Sequence, residues 1–245
     1  MNSDFSVLLG EPGRLILVGL VETLKLAACS LVLAIAIGIV VGTVRWIGWR
    51  LTEPFCWLYI EFARNTPPVV QILFWYFSAS FVLPTPMFMA LRDFGYELGA
   101  AILALALYHG AFFAEVIRAG LNSVPKGQFE AARALGLRFP QALGKVAFPQ
   151  AIRVLVPPLV NEATALIKNT SLAMAIGVGE MTFQYRAIDN FLFRGLEALT
   201  AITVIYMLLC LIAVGVGRLI NRALSRHIRA RHPGRAALPA GSIIQ

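Results

Sequence analysis

Four polar side chains in a strongly apolar part of the chain carry the clearest chemistry. Asn161, Thr164, Lys168 and Ser171 fall seven, four and three residues from the lysine, offsets that stack on one side of a helix. An ammonium group near the centre of a membrane helix costs about 2.5–3.5 kcal/mol on insertion scales, so Lys168 must face a partner, water or cargo rather than lipid. Two readings follow. Lys168 either pairs for structure with an acid such as Glu162, or offers its charge to the carboxylate of a solute whose orientation the neighbouring amide and hydroxyls fix. Asn169 and Thr170 flank this face.

Other polar groups in apolar surroundings extend the candidate set. Tyr108 and His109 lie near the middle of one apolar run, where the histidine either contacts a solute or satisfies both nitrogens locally as a packing residue. Gln71 follows a stretch with Glu61, Arg64, Asn65, Thr66, Pro67 and Pro68. A proline pair removes backbone donors, so a helix kinks or opens there and the freed carbonyls need new partners. Arg64 in this stretch either rests at the headgroups or lines a pathway. Glu115 and Arg118, three apart, can pair on a helix.

These residues belong to a membrane protein. Of 245 residues, 58% are hydrophobic and the mean hydropathy is +0.75, well above the roughly 45–50% apolar content of a soluble domain. The pattern predicts an all-α integral membrane protein with about five transmembrane helices, at 26–44, 55–83, 98–117, 154–178 and 198–216. An amphipathic approach, 15–25, precedes the first, and the N-terminal segment 1–23 is expected to be extracytoplasmic. The span domain runs over 24–219, and a basic tail over 220–245. The first span is too long for a signal-peptide core and should be retained. Gly38 and Gly42 either admit a second helix closely or are merely tolerated.

The net charge of +8 marks topology rather than nucleic-acid binding, because the Lys and Arg residues sit in short segments beside the apolar runs. Arg45 and Arg50 follow the first span on the inside. Lys126, Arg133, Arg138 and Lys145 place 124–149 in the cytosol, and the series Arg218, Arg222, Arg226, Arg229, Arg231, Arg235 anchors the inner end against anionic lipid. The N-terminus is then outside and the C-terminus cytosolic. Pro84 to Pro86 reads as an outer loop, as does the charge-balanced set Arg186, Asp189, Arg194 and Glu197. Disorder is expected past Pro233.

Segment 124–149 is too polar to cross a bilayer and reads as a cytosolic helix-turn-helix between the third and fourth spans. Good helix formers run from Gln128 to Leu135, and Gly136 sits where a left-handed residue stops a helix. Ala131, Ala132 and Ala134 keep that helix slim enough to enter a groove, with Glu130 and Arg133 supplying charge-assisted contacts.

The spaced pattern Glu130-Ala131-Ala132, Gly136, Val146, Phe148, Pro149 resembles the EAA loop of ABC importer permeases. Val146 and Phe148 replace that family's usual Ile and Leu, with the spacing kept. RNTPPVVQ, ending at Gln71, and LIKNTSLAMAIGVGEMT, around Lys168, are similar to helices of the polar amino acid uptake branch, and the resemblance covers nearly all of 24–219. It implies a pore built with a second permease subunit, as a homo- or heterodimer, two cytosolic ATP-binding cassette subunits and an extracytoplasmic substrate-binding protein in a bacterial inner membrane. Glu130, Ala131, Ala132, Arg133 and Gly136 would couple to the ATPase. The branch often has an acid where Asn169 stands, so an acidic or neutral amino acid suits this chain better than a cationic one.

No GxxxxGK[ST], HExxH, paired-carboxylate or nucleophile motif is present, so the chain should not be an enzyme and ATP hydrolysis falls to a partner. Cys29, Cys56 and Cys210 lie far apart with no metal or redox spacing, and neither cofactor nor metal is expected. An ion-coupled secondary transporter, with Glu61, Glu115 and Lys168 as its buried charges, is the alternative; the lack of an evident internal repeat disfavours it.

Overall fold

The computed structural model describes residues 5–229 and is helical nearly throughout them. After a short 3-10 turn at Phe5–Leu9, helix α1 (Glu11–Ile47) takes up both the amphipathic approach and the first span without a break. Its 37 residues reach about 55 Å at 1.5 Å each, against a hydrocarbon core near 30 Å. Of its five charged residues, Glu11, Arg14, Glu22 and Lys25 lie in the first half and Arg45 in the last turn, with Lys25 Nζ 2.7 Å from Glu22.

The second apolar segment divides as its prolines require. α2 (Glu53–Asn65) ends, Thr66 is extended (φ −111°, ψ 140°), and α3 (Pro68–Val82) starts afresh. A residue before proline is pushed out of the helical region, which accounts for Thr66. The opened backbone finds partners: Gln71 Nε2 donates to the Ala63 carbonyl (2.9 Å) and the Thr66 hydroxyl (2.6 Å), and that hydroxyl donates to Phe62 O (2.7 Å). Pro84 to Pro86 does not form a plain loop, because Thr85 and Pro86 open a further helix, α4 (Thr85–Asp93).

α5 (Tyr96–Asn122) is the axis of the bundle, longer than the 98–117 expected and buried along most of its alanines. α1 crosses it at Gly38 and Gly42, where a Cβ on Gly42 would lie 2.5 Å from the Ala114 carbonyl oxygen. The two glycines therefore serve close approach rather than being merely tolerated. Toward the C-terminal end of α5, Glu115 accepts from Arg45 of α1 as well as from Arg118 (3.0 Å), so the expected i,i+3 pair is part of a link between two helices.

α6 (Lys126–Ala134) and α7 (Phe139–Ala142) form the expected helix-turn-helix. Gly136 has φ +85°; Leu137 N donates to Ala132 O (3.2 Å) and Gly136 N to Arg133 O (3.0 Å), the hydrogen-bond pattern of a helix closed by a left-handed residue. A π-helical turn, Leu143–Ala147, then leads into α8 (Phe148–Asn169), which carries Pro157 and Pro158 inside it. The fourth segment is thus bent, by 68° between Phe139–Ile152 and Val154–Ile176. It ends in a 3-10 stretch, Thr170–Ile176. The hydroxyls of Thr170 and Ser171 donate back to Ile167 O (2.7 Å) and Lys168 O (2.8 Å), tightening this turn.

The expected outer loop around Arg186 is a helix, α9 (Met181–Leu192), and α10 (Gly195–Arg229) carries the fifth apolar run onward through the basic residues after it. By length and composition α1, α5 and Gly195–Leu224 are each able to cross a bilayer alone, the bent pair makes a fourth candidate, and α3 is a shorter apolar helix. The tail beyond Arg229, with Arg231, Arg235 and the disorder expected past Pro233, lies outside the described residues.

Candidate functional site

The polar face of α8 forms as its spacing predicts. Asn161 and Lys168 are exposed and Thr164 and Ser171 half-buried on the same side. Thr164 spends its hydroxyl proton on Asn161 O (2.8 Å), leaving its oxygen as an acceptor. Lys168 and Thr164 line a cavity of about 300 Å³ with Tyr206, Met207 and Cys210 of α10. Asn161 lines a neighbouring one of about 240 Å³ with Arg218 and Asn221. Among the described residues no carboxylate lies within ion-pair distance of Lys168.

Glu162, one acid that the structural reading offered to Lys168, does not pair with it and points to α5. Its Oε2 lies 3.7 Å from Nδ1 of His109, which is 1% exposed. Asn169 turns the same way: its Nδ2 donates to His109 Nε2 at 3.1 Å, which leaves the ring proton on Nδ1, facing the carboxylate. Tyr108 stands edge-on to His109 (centroids 5.0 Å) and tilted against Phe112 (5.1 Å), and the Arg64 guanidinium lies 5.5 Å from the centre of the Phe112 ring. This second cluster pairs an acid with aromatic faces and an arginine.

The structure thus separates the candidate cargo residues into three places. Asn161, Thr164, Lys168 and Ser171 share one face of α8. Tyr108, His109 and Asn169 meet across the α5–α8 contact. Gln71 is buried at the α2–α3 break with its amide protons already used there.

Of the residues expected to couple, Glu130, Ala131, Arg133 and Gly136 are exposed, whereas Ala132 is buried. Ala131 and Ala134 are left as the slim outer surface of α6. Arg133 Nη1 donates to the Leu137 carbonyl (3.2 Å) across the Gly136 turn.

Glu180 was not singled out by its sequence context, yet it is fully buried at the N-terminus of α9. Its carboxyl group accepts from the backbone N–H of Thr182 (2.8 Å) and Phe183 (2.9 Å) and from the Tyr206 hydroxyl (2.8 Å). Glu is not among the preferred capping residues, so the local pattern carries no signal for it.

The structure is a bundle of apolar helices, two of its apolar segments broken or bent beside polar side chains. Residues 34–226 match the family described as binding-protein-dependent transport system inner membrane component, and the chain belongs to that family. It is 34% identical over 208 residues to the glutamate/aspartate import permease protein GltJ of Escherichia coli (strain K12), covering 83% of this chain and 85% of that protein. The arginine transport system permease protein ArtQ of Bacillus subtilis (strain 168) is 33% identical over 227 residues, 91% of this chain and 98% of that protein. In three dimensions the chain resembles a crystal structure of an amino acid ABC transporter with histidines, with a TM-score of 0.74, 30% identity, and coverage of 91% of this chain and 100% of that one.

Proposed function

We propose that this chain is the membrane-spanning subunit of an ATP-driven importer for polar amino acids, with acidic or neutral ones preferred. It works with a second permease subunit, two ATP-binding cassette subunits and an extracytoplasmic binding protein. Its N-terminus lies outside and its C-terminus in the cytosol. Lys168 carries the reading: it is exposed on a polar helix face, in an apolar segment, with no acid beside it among the described residues. An ammonium so placed needs an anion or water, and the carboxylate of an amino acid supplies the former. Family membership supports ATP-driven uptake over the ion-coupled alternative, and the likeness to a glutamate/aspartate permease supports an acidic cargo.

In this mechanism nucleotide binding moves α6 through Glu130, and the helices alternate between outward- and inward-open arrangements, as population shifts between two packings. Cargo passes along the exposed face of α8, from Lys168 toward Asn161. Glu162 beside His109 favours a second reading, in which a cationic cargo is held by its ammonium group.

Lys168→Met, which keeps chain length and deletes charge, separates the two. Losing one charge-assisted contact of about 1.5–3 kcal/mol predicts uptake of glutamate and glutamine reduced roughly tenfold or more, with assembly on the ATPase retained. An assembled variant that carries glutamate, aspartate, glutamine and arginine at wild-type rates would make Lys168 a structural residue.

A further inference from the structure

Trp46, at the inner end of α1, touches the coupling segment. Its ring meets Phe129 of α6 edge-on with centroids 5.7 Å apart and lies 6.3 Å from Phe139 of α7, and those two rings are 5.3 Å apart and near perpendicular. Edge-to-face aromatic groups of this size hold a preferred geometry instead of sliding freely. The same side chain packs into the buried cluster of Ile117, Leu121, Ala147 and Leu155, which joins α5, the π-turn and α8.

Two further features bear on movement. A cavity of about 430 Å³ lies between α6 and the inner helix ends, lined by Trp46, Asn122, Lys126, Phe129 and Glu130 among others. α6 is therefore not packed solidly against the inner helix ends, and beside that space the Phe129 ring is its contact with Trp46. At the far side, the turn Leu143–Ala147 is π-helical, a departure from regular α geometry that often marks functional positions. One residue before Trp46, Arg45 is tied to Glu115 of α5, which Arg118 also engages. Motion delivered to Trp46 thus reaches a helix anchored to the axis of the bundle.

From this geometry we infer that Trp46 is a positioning residue for coupling: the Trp46–Phe129–Phe139 contact carries displacement of the coupling helix into α1. The inference rests on the permease reading and adds a route by which the ATPase stroke enters the membrane. Trp46 touches no cargo in this account, so its loss separates hydrolysis from transport instead of weakening cargo affinity.

The test is the ratio of amino acid taken up to ATP hydrolysed, measured for the full chain reconstituted with its ATPase subunits and binding protein, with glutamate as the probe. Trp46→Ala and the bulkier Trp46→Leu are expected to lower this ratio at least threefold, with hydrolysis continuing and the KM for uptake within twofold of wild type. Trp46→Phe, which keeps a ring, is expected to hold the ratio within twofold. Because Leu retains bulk in the cluster, that variant judges the inference should Ala fail to assemble. A Leu variant with the wild-type ratio, or an equal fall in the Phe variant, would overturn it. A wild-type complex that hydrolyses ATP without any uptake would instead refute the permease reading.

Discussion

Replacing Glu180 with alanine should destabilise the packing of α9 on α10 by an amount that follows from its three hydrogen bonds. The carboxyl group caps α9 through the N–H groups of Thr182 and Phe183 and receives the Tyr206 hydroxyl from α10, all within 2.9 Å and in a fully buried site. Loss of a cap costs about 1 kcal/mol. Leaving the half-buried Tyr206 hydroxyl without this acceptor adds about 1–3 kcal/mol, so the sum is about 2–4 kcal/mol. On the scaling for chains of this length, that lowers Tm by roughly 5–15 °C. Thermal unfolding of the purified chain in detergent, followed by size-exclusion of the surviving fraction, measures the shift. Tyr206→Phe should cost about 1 kcal/mol, since the cap remains. Combined with Glu180→Ala it should add little, because the orphaned hydroxyl is gone. A Glu180→Ala variant within 1 °C of wild type, or a double variant showing the full sum, would refute this account of how α9 is held.

Glu130→Lys reverses charge on the exposed surface of α6 and should reduce ATP-driven uptake severalfold while the chain still inserts, as judged by its level in isolated membranes; wild-type uptake would remove Glu130 from the coupling surface. With the native cysteines Cys29, Cys56 and Cys210 replaced, an impermeant thiol reagent applied to intact cells should label Arg92→Cys and leave Arg138→Cys unlabelled. Labelling of the second from outside would invert the orientation.

The apolar runs and the helix α6 were legible because each is written in one local pattern. Leu26 to Val44 has no charge, and Gly136 stops α6 where a glycine is wanted. The proline pair at Pro67 also predicted its own break. α4 and α9 were missed because both are short and local signals in each also suit a loop: Pro84 and Pro86 at the start of α4, and the charges Arg186 and Asp189 within α9. α9 also gains support from a distance, where Met181 N donates to Thr23 Oγ1 of α1, 158 residues away. The same limit applies to the site. Spacing placed Asn161, Thr164, Lys168 and Ser171 together, and Glu162 and Asn169, seven apart, shared a face by the same rule. What spacing cannot state is which neighbour that face meets. The contact with His109, like that of Arg45 with Glu115, joins residues more than 50 positions apart.

The central claim is ATP-driven import, and reconstitution tests it most directly. Proteoliposomes holding this chain with its ATPase subunits, supplied with binding protein on the extracytoplasmic side, would be given radiolabelled glutamate, aspartate, glutamine or arginine. The account predicts accumulation of an acidic or neutral amino acid that requires both ATP and the binding protein and persists when ionophores collapse the ion gradients. Accumulation at the same rate without ATP, driven by an imposed proton or sodium gradient, would contradict it.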